Sequence, residues 1–344
     1  MVIVIGIEST AHTFGVGISR DGKIIANQRD MYNTKEGGII PSDAADHHRE
    51  ICDKIYQDSL DEAGIKEEEI DAISFSQGPG LPPCLLAGRD FARDLALRLN
   101  RPLVPVNHCV AHLEVGRITG AKDPVLLYCS GANTQVIAYA AGKFRVFGET
   151  LDVGVGNFID NFARYAGLGF PGGPKIEKIA KDGKEFVELP YKVKGMDIAL
   201  SGILTNLRQK LEKGYKIEDL SYSMQETVFA MLIETAERAL AHINKEELLL
   251  GGGVACNSRL QEMTNIMCDE RGASFFCPER SLLVDNGAMI AYLGEIIFKS
   301  ESKYMAACRS EDNIGGIVCW EEDEIKNIDI LPKQRTDQVD VTWR

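Results

Sequence analysis

An internal repeat is the feature of this sequence that most restricts its fold. Residues 2–19 read as a strand, a polar turn and a second strand, and Asp21-Gly22 then turns the chain into a third strand. Residues 125–140 repeat that layout, and Ala141-Gly142 turns the chain in the same way. The two turn glycines lie 142 − 22 = 120 residues apart. Because helical segments follow each copy, the repeat predicts two similar α/β lobes.

The segments between and after the repeats alternate between helical and strand patterns. Ser42 is placed to cap the first of these helices. We expect the first lobe to comprise residues 1–123 with 298–344, and the second lobe residues 124–297. In chain order the predicted elements are a helix over 43–63, a strand over 71–76, a helix over 85–99, a strand over 102–106, a helix over 223–243 and a strand over 247–250.

Composition excludes several classes of protein. The sequence has no run of about 18 apolar residues, so we expect no membrane span. Its apolar start reaches Glu8 without a basic flank, which is typical of a buried strand and not of a signal peptide. The nine cysteines form no Cys-x-x-Cys pair, and their odd number favours free thiols in a reducing compartment. We therefore expect a cytoplasmic protein, also nuclear if its source is eukaryotic.

The net charge of −13 restricts how the chain could meet a nucleic acid. A protein that binds RNA through its own surface needs a basic footprint that displaces counterions from the phosphates. The chain as a whole does not supply one. If RNA is a substrate, local patches or partner subunits must provide the attraction.

Glycine-rich polar turns follow apolar strands at Gly6–Gly17, Ser130–Thr134 and Gly251–Asn257. Such turns let backbone N–H groups approach a phosphate or a ribose closely. Each turn alone is compatible with an ordinary hairpin, but three of them favour a nucleotide cleft between the lobes. None of these three turns contains a Gly-x-Gly-x-x-Gly run, and the sequence has no Walker lysine loop, which argues against Rossmann and P-loop proteins.

Two histidines, His108 and His112, are spaced to share one face of a helix, where both imidazoles could reach one metal ion. In an arbitrary protein a core pairing is the more common reason for such a pair. Here the pair follows a predicted strand, at the sheet edge where α/β ligand sites gather. A zinc peptidase of the His-Glu-x-x-His type needs a glutamate where this chain has Cys109, so that chemistry is disfavoured.

An acidic turn at Asp285 precedes an apolar helix over 289–297. Taken alone, Asp285 is explained as the N-cap of that helix. It becomes a metal ligand only if the fold brings it to the histidine pair.

Several segments of the chain, in this order, carry a resemblance to a known family: Ser76–Gly80, Val106–Cys109, Ser130–Gln135, Phe147–Thr150, Gly169–Pro174, Ser223–Thr227 and Asp285–Ala288. Together they resemble the universal tRNA threonylcarbamoyladenosine synthases, the catalytic subunits of the KEOPS complex in archaea and eukaryotes. The similarity runs from Gly6 to Asp337, essentially the whole chain. The stretch ending at Asp197 and the tail ending at Trp343 are similar to the archaeal and eukaryotic branch.

This resemblance implies an actin/Hsp70-like (ASKHA) fold, in which mixed sheets flanked by helices form two lobes with a nucleotide cleft between them. It also implies one divalent metal ion, iron in preference to zinc, held by His108, His112, Tyr128 and Asp285. The residues that it assigns to threonylcarbamoyl-adenylate are Tyr128, Cys129, Ser130, Gly131, Ala132, Asp160, Gly173, Glu177 and Asn257.

Three departures from the family pattern bear on the phosphate contacts. Ser9 stands where this branch commonly has glycine, and Ala132 replaces a second glycine. Leu81-Pro82-Pro83 is expected to stiffen the loop after Gly80.

The implied reaction transfers a threonylcarbamoyl group from the adenylate to N6 of the adenine at tRNA position 37, in tRNAs that decode ANN codons, with release of AMP. The enzyme would be an acyltransferase. No residue stands out as the general base, and Glu8 and His12 are the candidates that the sequence offers.

Two other functions stay open at the sequence level. An actin-like ATPase or small-molecule kinase would hold Mg²⁺ through carboxylates and water, so two imidazoles and a phenol argue against it. A non-catalytic scaffold would not need an intact set of ligands. The resemblance further implies partners: a small dimerising subunit on the first lobe, a small atypical kinase on the second, and tRNA bound through the complex.

Overall fold

The chain folds into two compact units, seen in a computed structural model that describes residues 1–33, 39–307 and 317–344, with backbone alone over 303–307. Unit 1 comprises Met1–Asn33, Ile39–Val115 and Asp285–Arg344. Unit 2 comprises, over the described residues, Gly116–Val284.

Strands and helices alternate through most of both units. The strands are β1 (Ile3–Glu8), β2 (Thr13–Arg20), β3 (Lys23–Met31), β4 (Ala72–Gly78), β5 (Leu103–Asn107), β6 (Val125–Cys129), β7 (Thr134–Ala140), β8 (Lys143–Glu149), β9 (Val193–Lys194), β10 (Asp197–Ile198), β11 (Glu247–Gly251) and β12 (Ser274–Phe276). The helices are α1 (Pro41–Ala63), α2 (Pro82–Leu99), α3 (His108–Val115), α4 (Val155–Tyr165), α5 (Gly173–Ala180), α6 (Ser201–Glu212), α7 (Ile217–Ile243), α8 (Ser258–Arg271), α9 (Arg280–Leu283), α10 (Gly287–Ala307) and α11 (Glu322–Asn327).

The sheet of unit 1 has the strand order β3-β2-β1-β4-β5. Its first three strands are antiparallel neighbours, whereas β1, β4 and β5 run parallel. Every residue of β1 is buried, as expected for a strand covered on both faces. The parallel strands therefore bring their carboxyl ends, Glu8, Gly78 and Asn107, to one edge of the sheet.

The sheet of unit 2 repeats this topology, with the order β8-β7-β6-β11-β12. The pair Ile7↔Val16 in unit 1 corresponds to Leu127↔Val136 in unit 2, since 127 − 7 and 136 − 16 both equal 120. The predicted repeat is thus confirmed down to its register. The β2–β3 turn (Asp21-Gly22) and the β7–β8 turn (Ala141-Gly142) have positive φ at both central residues. Glycine at the second position adopts this conformation without strain.

The helix α10 packs on the sheet of unit 1 through glycines. A β-carbon on Gly6 would lie 2.0 Å from the backbone nitrogen of Ala291, and one on Gly17 would lie 2.1 Å from that of Ala288. Only glycine permits so close an approach of helix and strands. The whole of α10 therefore belongs to unit 1. The predicted bounds, 1–123 with 298–344 and 124–297, differ from these units because the apolar pattern of α10 does not show which sheet it covers.

Prolines begin two of the helices. The helix α1 begins at Pro41 rather than after Ser42, and its N-cap residue, Ile40, makes no side-chain cap. Ser42 as the N-cap is therefore wrong. The helix α2 begins at Pro82, so the prolines after Gly80 form its first turn instead of a stiff loop. Proline suits this position because the first N–H groups of a helix have no partner within it.

The longest of the described helices is α7, which packs in the core of unit 2. Val228, Leu232, Ala236 and Leu240 are buried, as their spacing predicts. The helix begins earlier than expected, at Ile217. It packs with β6, β7 and α5 around the large apolar core of this unit.

The described cysteines are free thiols, as their number and spacing predict, and Cys308 lies outside the described residues. Among the helices described for this chain, none is long and apolar enough to cross a membrane.

Candidate metal centre and substrate site

The predicted ligands of unit 1 gather at the carboxyl edge of its sheet. Asn107 ends β5, and its side-chain oxygen caps α3 by accepting the N–H of Val110 at 3.1 Å. This cap starts the helix at His108, so His108 and His112 occupy successive turns of one face. Their rings lie 4.8 Å apart between centroids, edge to face.

Asp285 faces both histidines. Its Oδ1 lies 3.4 Å from Nε2 of His108 and 3.4 Å from Nε2 of His112. The three candidate ligand atoms all lie within 4.8 Å of one another. The three predicted ligands that belong to unit 1 are therefore assembled in one place.

Asn286, not Asp285, caps the following helix. Its Oδ1 accepts the N–H of Met289 at 3.0 Å, the usual N-cap contact. Asn286 is fully buried in this role. Asp285 is thereby left to face the histidines, so the alternative explanation of that carboxylate as a helix cap is wrong.

Glu8 fixes the orientation of His108. Its Oε2 accepts a hydrogen bond from Nδ1 of His108 at 3.0 Å, because a carboxylate can only accept. Its Oε1 accepts the N–H of Thr10 at 2.7 Å and the hydroxyl of the same residue. Glu8 is fully buried and has both oxygens engaged. With Nδ1 engaged by Glu8, Nε2 is the nitrogen of His108 that faces Asp285.

Burial and charge act in opposite directions on the site. Burial lowers the pKa of His112, against the pull of Asp285, and so favours its neutral form. Burial opposes ionisation of Asp285, but the neighbouring imidazoles outweigh it and hold the pKa of that carboxyl well below its usual range. Neutral imidazoles and an ionised carboxylate are the forms that bind metals.

The residues fit a divalent metal ion. When His108 carries its proton on Nδ1 alone, its Nε2 and Oδ1 of Asp285 are two acceptors 3.4 Å apart, an arrangement that a cation between them stabilises. Two imidazole nitrogens and one carboxylate oxygen form a donor set used for iron and zinc. The Glu8–His108 hydrogen bond is the kind of carboxylate contact that accompanies histidine ligands.

Tyr128, the fourth predicted ligand, belongs to unit 2. It is buried near the end of β6 and pairs with Gly251 of the parallel strand β11. Its ligation of the ion stays a prediction.

The predicted substrate contacts all belong to unit 2, at the carboxyl edge of β6 and β11. The turn after Cys129 is partly exposed, and Gly131 accepts the N–H of Asn157 at the start of α4 at 2.9 Å. A β-carbon on Gly252 would lie 2.4 Å from the carbonyl oxygen of Cys129. The two glycine turns are therefore packed against each other, with Ser130 and Ala132 in the first of them.

Asp160 holds the turn that begins α5. Its Oδ1 accepts the N–H of Gly172 at 2.7 Å, next to the predicted contact Gly173. A β-carbon on Gly172 would lie 2.5 Å from that of Ala163, so the turn packs tightly on α4.

Glu177 and Asn257 meet at the start of α8. Oε1 of Glu177 accepts the N–H and the hydroxyl of Ser258, at 2.9 and 2.6 Å. Asn257 caps α8 through its Oδ1 and donates to Oε1 of Gln225 at 2.7 Å. The pattern of glycines located this region, whereas the cap contacts of Asn257 were not predicted.

His12 lies in the turn between β1 and β2, and its carbonyl oxygen accepts the N–H of Tyr32 at 2.8 Å. Sequence reasoning missed His48, which is fully buried and whose Nε2 donates to the carbonyl oxygen of Ala11 in that turn at 2.9 Å. It also missed Glu114, a buried carboxylate two residues after His112. Neither residue stands in a spacing that marks it.

Comparison with known sequences establishes the family. Residues 22–292 match the family model described as TsaD, tRNA N6-adenosine threonylcarbamoyltransferase. The chain is 50% identical over 343 residues to the tRNA N6-adenosine threonylcarbamoyltransferase of Thermococcus kodakarensis, covering 99% of this chain and 100% of that protein. It is 48% identical over 344 residues to the "Probable bifunctional tRNA threonylcarbamoyladenosine biosynthesis protein" of Methanocaldococcus jannaschii, covering 99% of this chain and 60% of that protein.

Solved structures establish the fold class. HypF of T. kodakarensis matches with a TM-score of 0.62 at 14% identity, over 86% of this chain and 47% of that one. Component A of the (R)-2-hydroxyglutaryl-CoA dehydratase of Acidaminococcus fermentans matches with a TM-score of 0.54 at 13% identity, over 86% of this chain and 96% of that one. The predicted actin/Hsp70-like (ASKHA) fold is confirmed. Within that class, the chain belongs to the tRNA N6-adenosine threonylcarbamoyltransferase family.

Proposed function

We propose that this chain transfers the threonylcarbamoyl group of threonylcarbamoyl-adenylate to N6 of the adenine at tRNA position 37. In this acyl transfer the exocyclic amine attacks the carbamoyl carbon, and the bond from that carbon to the phosphate oxygen breaks. AMP leaves with the bonding electrons, and N6 gives up one proton. The observation that carries the proposal is the His108–His112–Asp285 cluster in a member of this family that matches the whole length of its T. kodakarensis relative.

The cluster is the proposed site of one divalent ion, with iron preferred and zinc as the alternative. When bound, such an ion supplies Lewis acidity for the carbonyl oxygen of the transferred group. His108, His112 and Asp285 would hold it, with Tyr128 of unit 2 as the proposed fourth ligand. Glu8 then acts as a positioning residue, since its carboxylate holds Nδ1 of His108 at 3.0 Å.

Of the two candidate bases for the proton from N6, Glu8 and His12, Glu8 is the more engaged with its neighbours. Both oxygens of Glu8 already accept hydrogen bonds within unit 1. His12 stands in the same turn and is the proposed base. A His12→Gln variant tests this assignment, because loss of a base changes the pH dependence of the transfer rate as well as its size.

The adenylate is proposed to lie along the glycine turns of unit 2. Tyr128, Gly131 and Gly173 would place backbone groups near the phosphate and ribose, together with Cys129, Ser130 and Ala132. Oε2 of Glu177 has no hydrogen-bond partner among the described residues, which suits a ribose hydroxyl. Asp160 and Asn257 support this site by holding the turns beside Gly172 and Ser258.

The proposed partners follow from the charge and from the family. A chain of net charge −13 gains RNA affinity from subunits with basic surfaces. We place a small dimerising subunit on α1 and α2 of unit 1, and a small atypical kinase on unit 2, as in the KEOPS complex. Co-purification with each candidate subunit, and its loss on charge reversal along the exposed face of α1, tests the first placement.

The test of the function is a reconstituted reaction with partner subunits, tRNA, threonine, bicarbonate, ATP and the adenylate-forming enzyme. Modified nucleoside is measured by mass spectrometry for wild type, His112→Ala and Asp285→Ala. His242→Ala, at an exposed helical histidine of unit 2, is the matched control. Loss of modified nucleoside in the first two variants alone is the expected result.

Two outcomes would contradict the proposal. Wild-type levels of modified nucleoside in both ligand variants would remove the role of the cluster. Rapid ATP hydrolysis by the chain alone, without nucleoside product in the full mixture, would favour the actin-like ATPase instead.

A further inference from the structure

A segment that we call the strap (residues 329–344) runs along the helix that carries the histidines. At its start, Leu331 donates its N–H to the carbonyl oxygen of Gln77 at 2.8 Å, at the end of β4. Further on, Oε1 of Gln334 accepts the side-chain amide of Asn107 at 3.0 Å, directly before α3. The strap therefore reaches the beginning of the helix that carries His108.

The strap continues along α3 to its end. Thr336, which is buried, forms a side-chain hydrogen bond with Cys109 in the first turn. In the last turn, Oε1 of Glu114 accepts hydrogen bonds from Nε of Arg344 at 2.9 Å and from Nε1 of Trp343 at 3.2 Å. Both ends of α3 are thus attached to one segment that lies more than 200 residues away in sequence.

The position of Glu114 is unfavourable for a carboxylate, and the contacts with the strap offset this. Its side chain is 0% exposed, so its charge is held away from water. It also lies in the last turn of α3, where the helix dipole disfavours a negative charge. Arg344, with a side chain only 10% exposed, relieves both effects. The strap therefore stabilises the last turn of α3.

The helix needs such support because it is short. An isolated helix of eight residues is not stable in water. Part of the strap, including Val339 and Trp343, lines a cavity of about 200 Å³ together with Leu293 and Ile297 of α10. The polar contacts with Glu114 add to the attachment of the strap at this end.

We propose that Glu114, Trp343 and Arg344 form a latch that positions His112 for metal binding. Glu114 stands two residues after His112 on the same helix, so movement of the last turn displaces that imidazole from Asp285. These are positioning residues, which act on the ion through α3. The effect on metal binding rests on the proposed metal site. The attachment of the strap to α3 does not, because it is a property of the metal-free chain.

The experiment measures two properties of the purified full chain. Hydrogen exchange of the metal-free protein reports the protection of the amides of α3. Competition with a chromophoric chelator gives the affinity for zinc alone. We expect Glu114→Gln and Arg344→Gln to lose protection over 108–115 and to bind zinc about tenfold more weakly. Arg344→Lys restores part of both, and Trp343→Phe, which removes one donor, gives a smaller effect.

Glu295→Gln is the matched control. Glu295 is a buried carboxylate on α10 that pairs with Lys299 and accepts hydrogen bonds from the hydroxyl of Ser19 and the N–H of Gly22, which belong to neither α3 nor the strap. Its loss lowers the melting temperature without changing exchange in α3 or zinc affinity. Wild-type exchange and zinc affinity in Arg344→Gln would overturn the latch, as would an equal loss of zinc affinity in Glu295→Gln. If the wild-type chain binds no zinc or iron, the proposed metal site fails, while the exchange measurement still decides whether the latch exists.

Discussion

Gly17 leaves no room for a β-carbon, and its replacement by alanine tests how α10 is held on the sheet. The added carbon would lie 2.1 Å from the backbone nitrogen of Ala288 and 2.3 Å from its Cα. Ordinary contact begins at 3.4 Å, so helix and strand must separate by about 3.4 − 2.1 = 1.3 Å. Backbone atoms cannot rotate away as a side chain can. We therefore expect Gly17→Ala to lower the free energy of unfolding by about 3 kcal/mol, the upper part of the range for overpacking.

The same displacement reaches the metal site. Asp285 stands two residues before α10 begins, and its Oδ1 lies 3.4 Å from each histidine. Metal–ligand distances tolerate shifts of only about 0.2 Å, so zinc affinity should fall by about tenfold or more.

Urea denaturation and chelator competition measure the two effects of Gly17→Ala. Gly202→Ala on α6 is the control, because its β-carbon meets no atom within 4 Å, and we expect unchanged or slightly higher stability. A Gly17→Ala protein within about 0.5 kcal/mol of wild type, with normal zinc affinity, would refute this account of the packing.

Three further predictions concern single side chains. Burial lowers the pKa of His48 to about 4. Charge on His47 and His12 acts in the same direction, whereas the hydrogen bond to Ala11 and the charge of Glu8 oppose it. The unfolded chain then binds a proton that the folded chain does not, so stability should fall by ~3 kcal/mol as the pH drops from about 6.5 to about 4. In His48→Gln, which keeps a donor, this part of the pH dependence should vanish from denaturation curves; its persistence would assign the effect elsewhere. Asn286→Ala removes the cap of α10 and should lower the free energy of unfolding in urea by ~1 kcal/mol; wild-type stability would show that the cap contributes nothing. Asn257→Asp keeps the cap of α8 but loses the hydrogen bond that the amide donates to Gln225. We expect near-normal stability and a raised KM for the adenylate. An unchanged KM would show that this residue is not part of the site.

The repeat made the two-unit architecture predictable, because each copy is a short continuous segment whose strands and turns can be recognised locally. The hairpin turns and the 120-residue offset follow from alternation and turn chemistry, which are local features of the sequence. The spacing of His108 and His112 is equally local, so the sequence predicted that the pair shares a helix face.

Contacts between distant segments were beyond local patterns. Asp285 lies 173 residues from His112, and only the family resemblance joined them. Arg344 lies 230 residues from Glu114, and no spacing marks that pair. The sequence did not decide between Asp285 and Asn286 as the N-cap of α10, because both side chains can accept a helix N–H. The assignment of α10 to unit 1 depended on glycines in β1 and β2. These glycines lie far from α10 in sequence, and no local pattern shows which helix packs on them.

The most direct test of the central claim is anomalous X-ray diffraction from crystals of the anaerobically purified chain, recorded at the iron and zinc edges. We predict one peak per chain, about 2.1 Å from Nε2 of His108, from Nε2 of His112 and from a carboxylate oxygen of Asp285. A fully metallated preparation whose peak lies elsewhere, or a metal-free chain that is fully active in the reconstituted reaction, would contradict it.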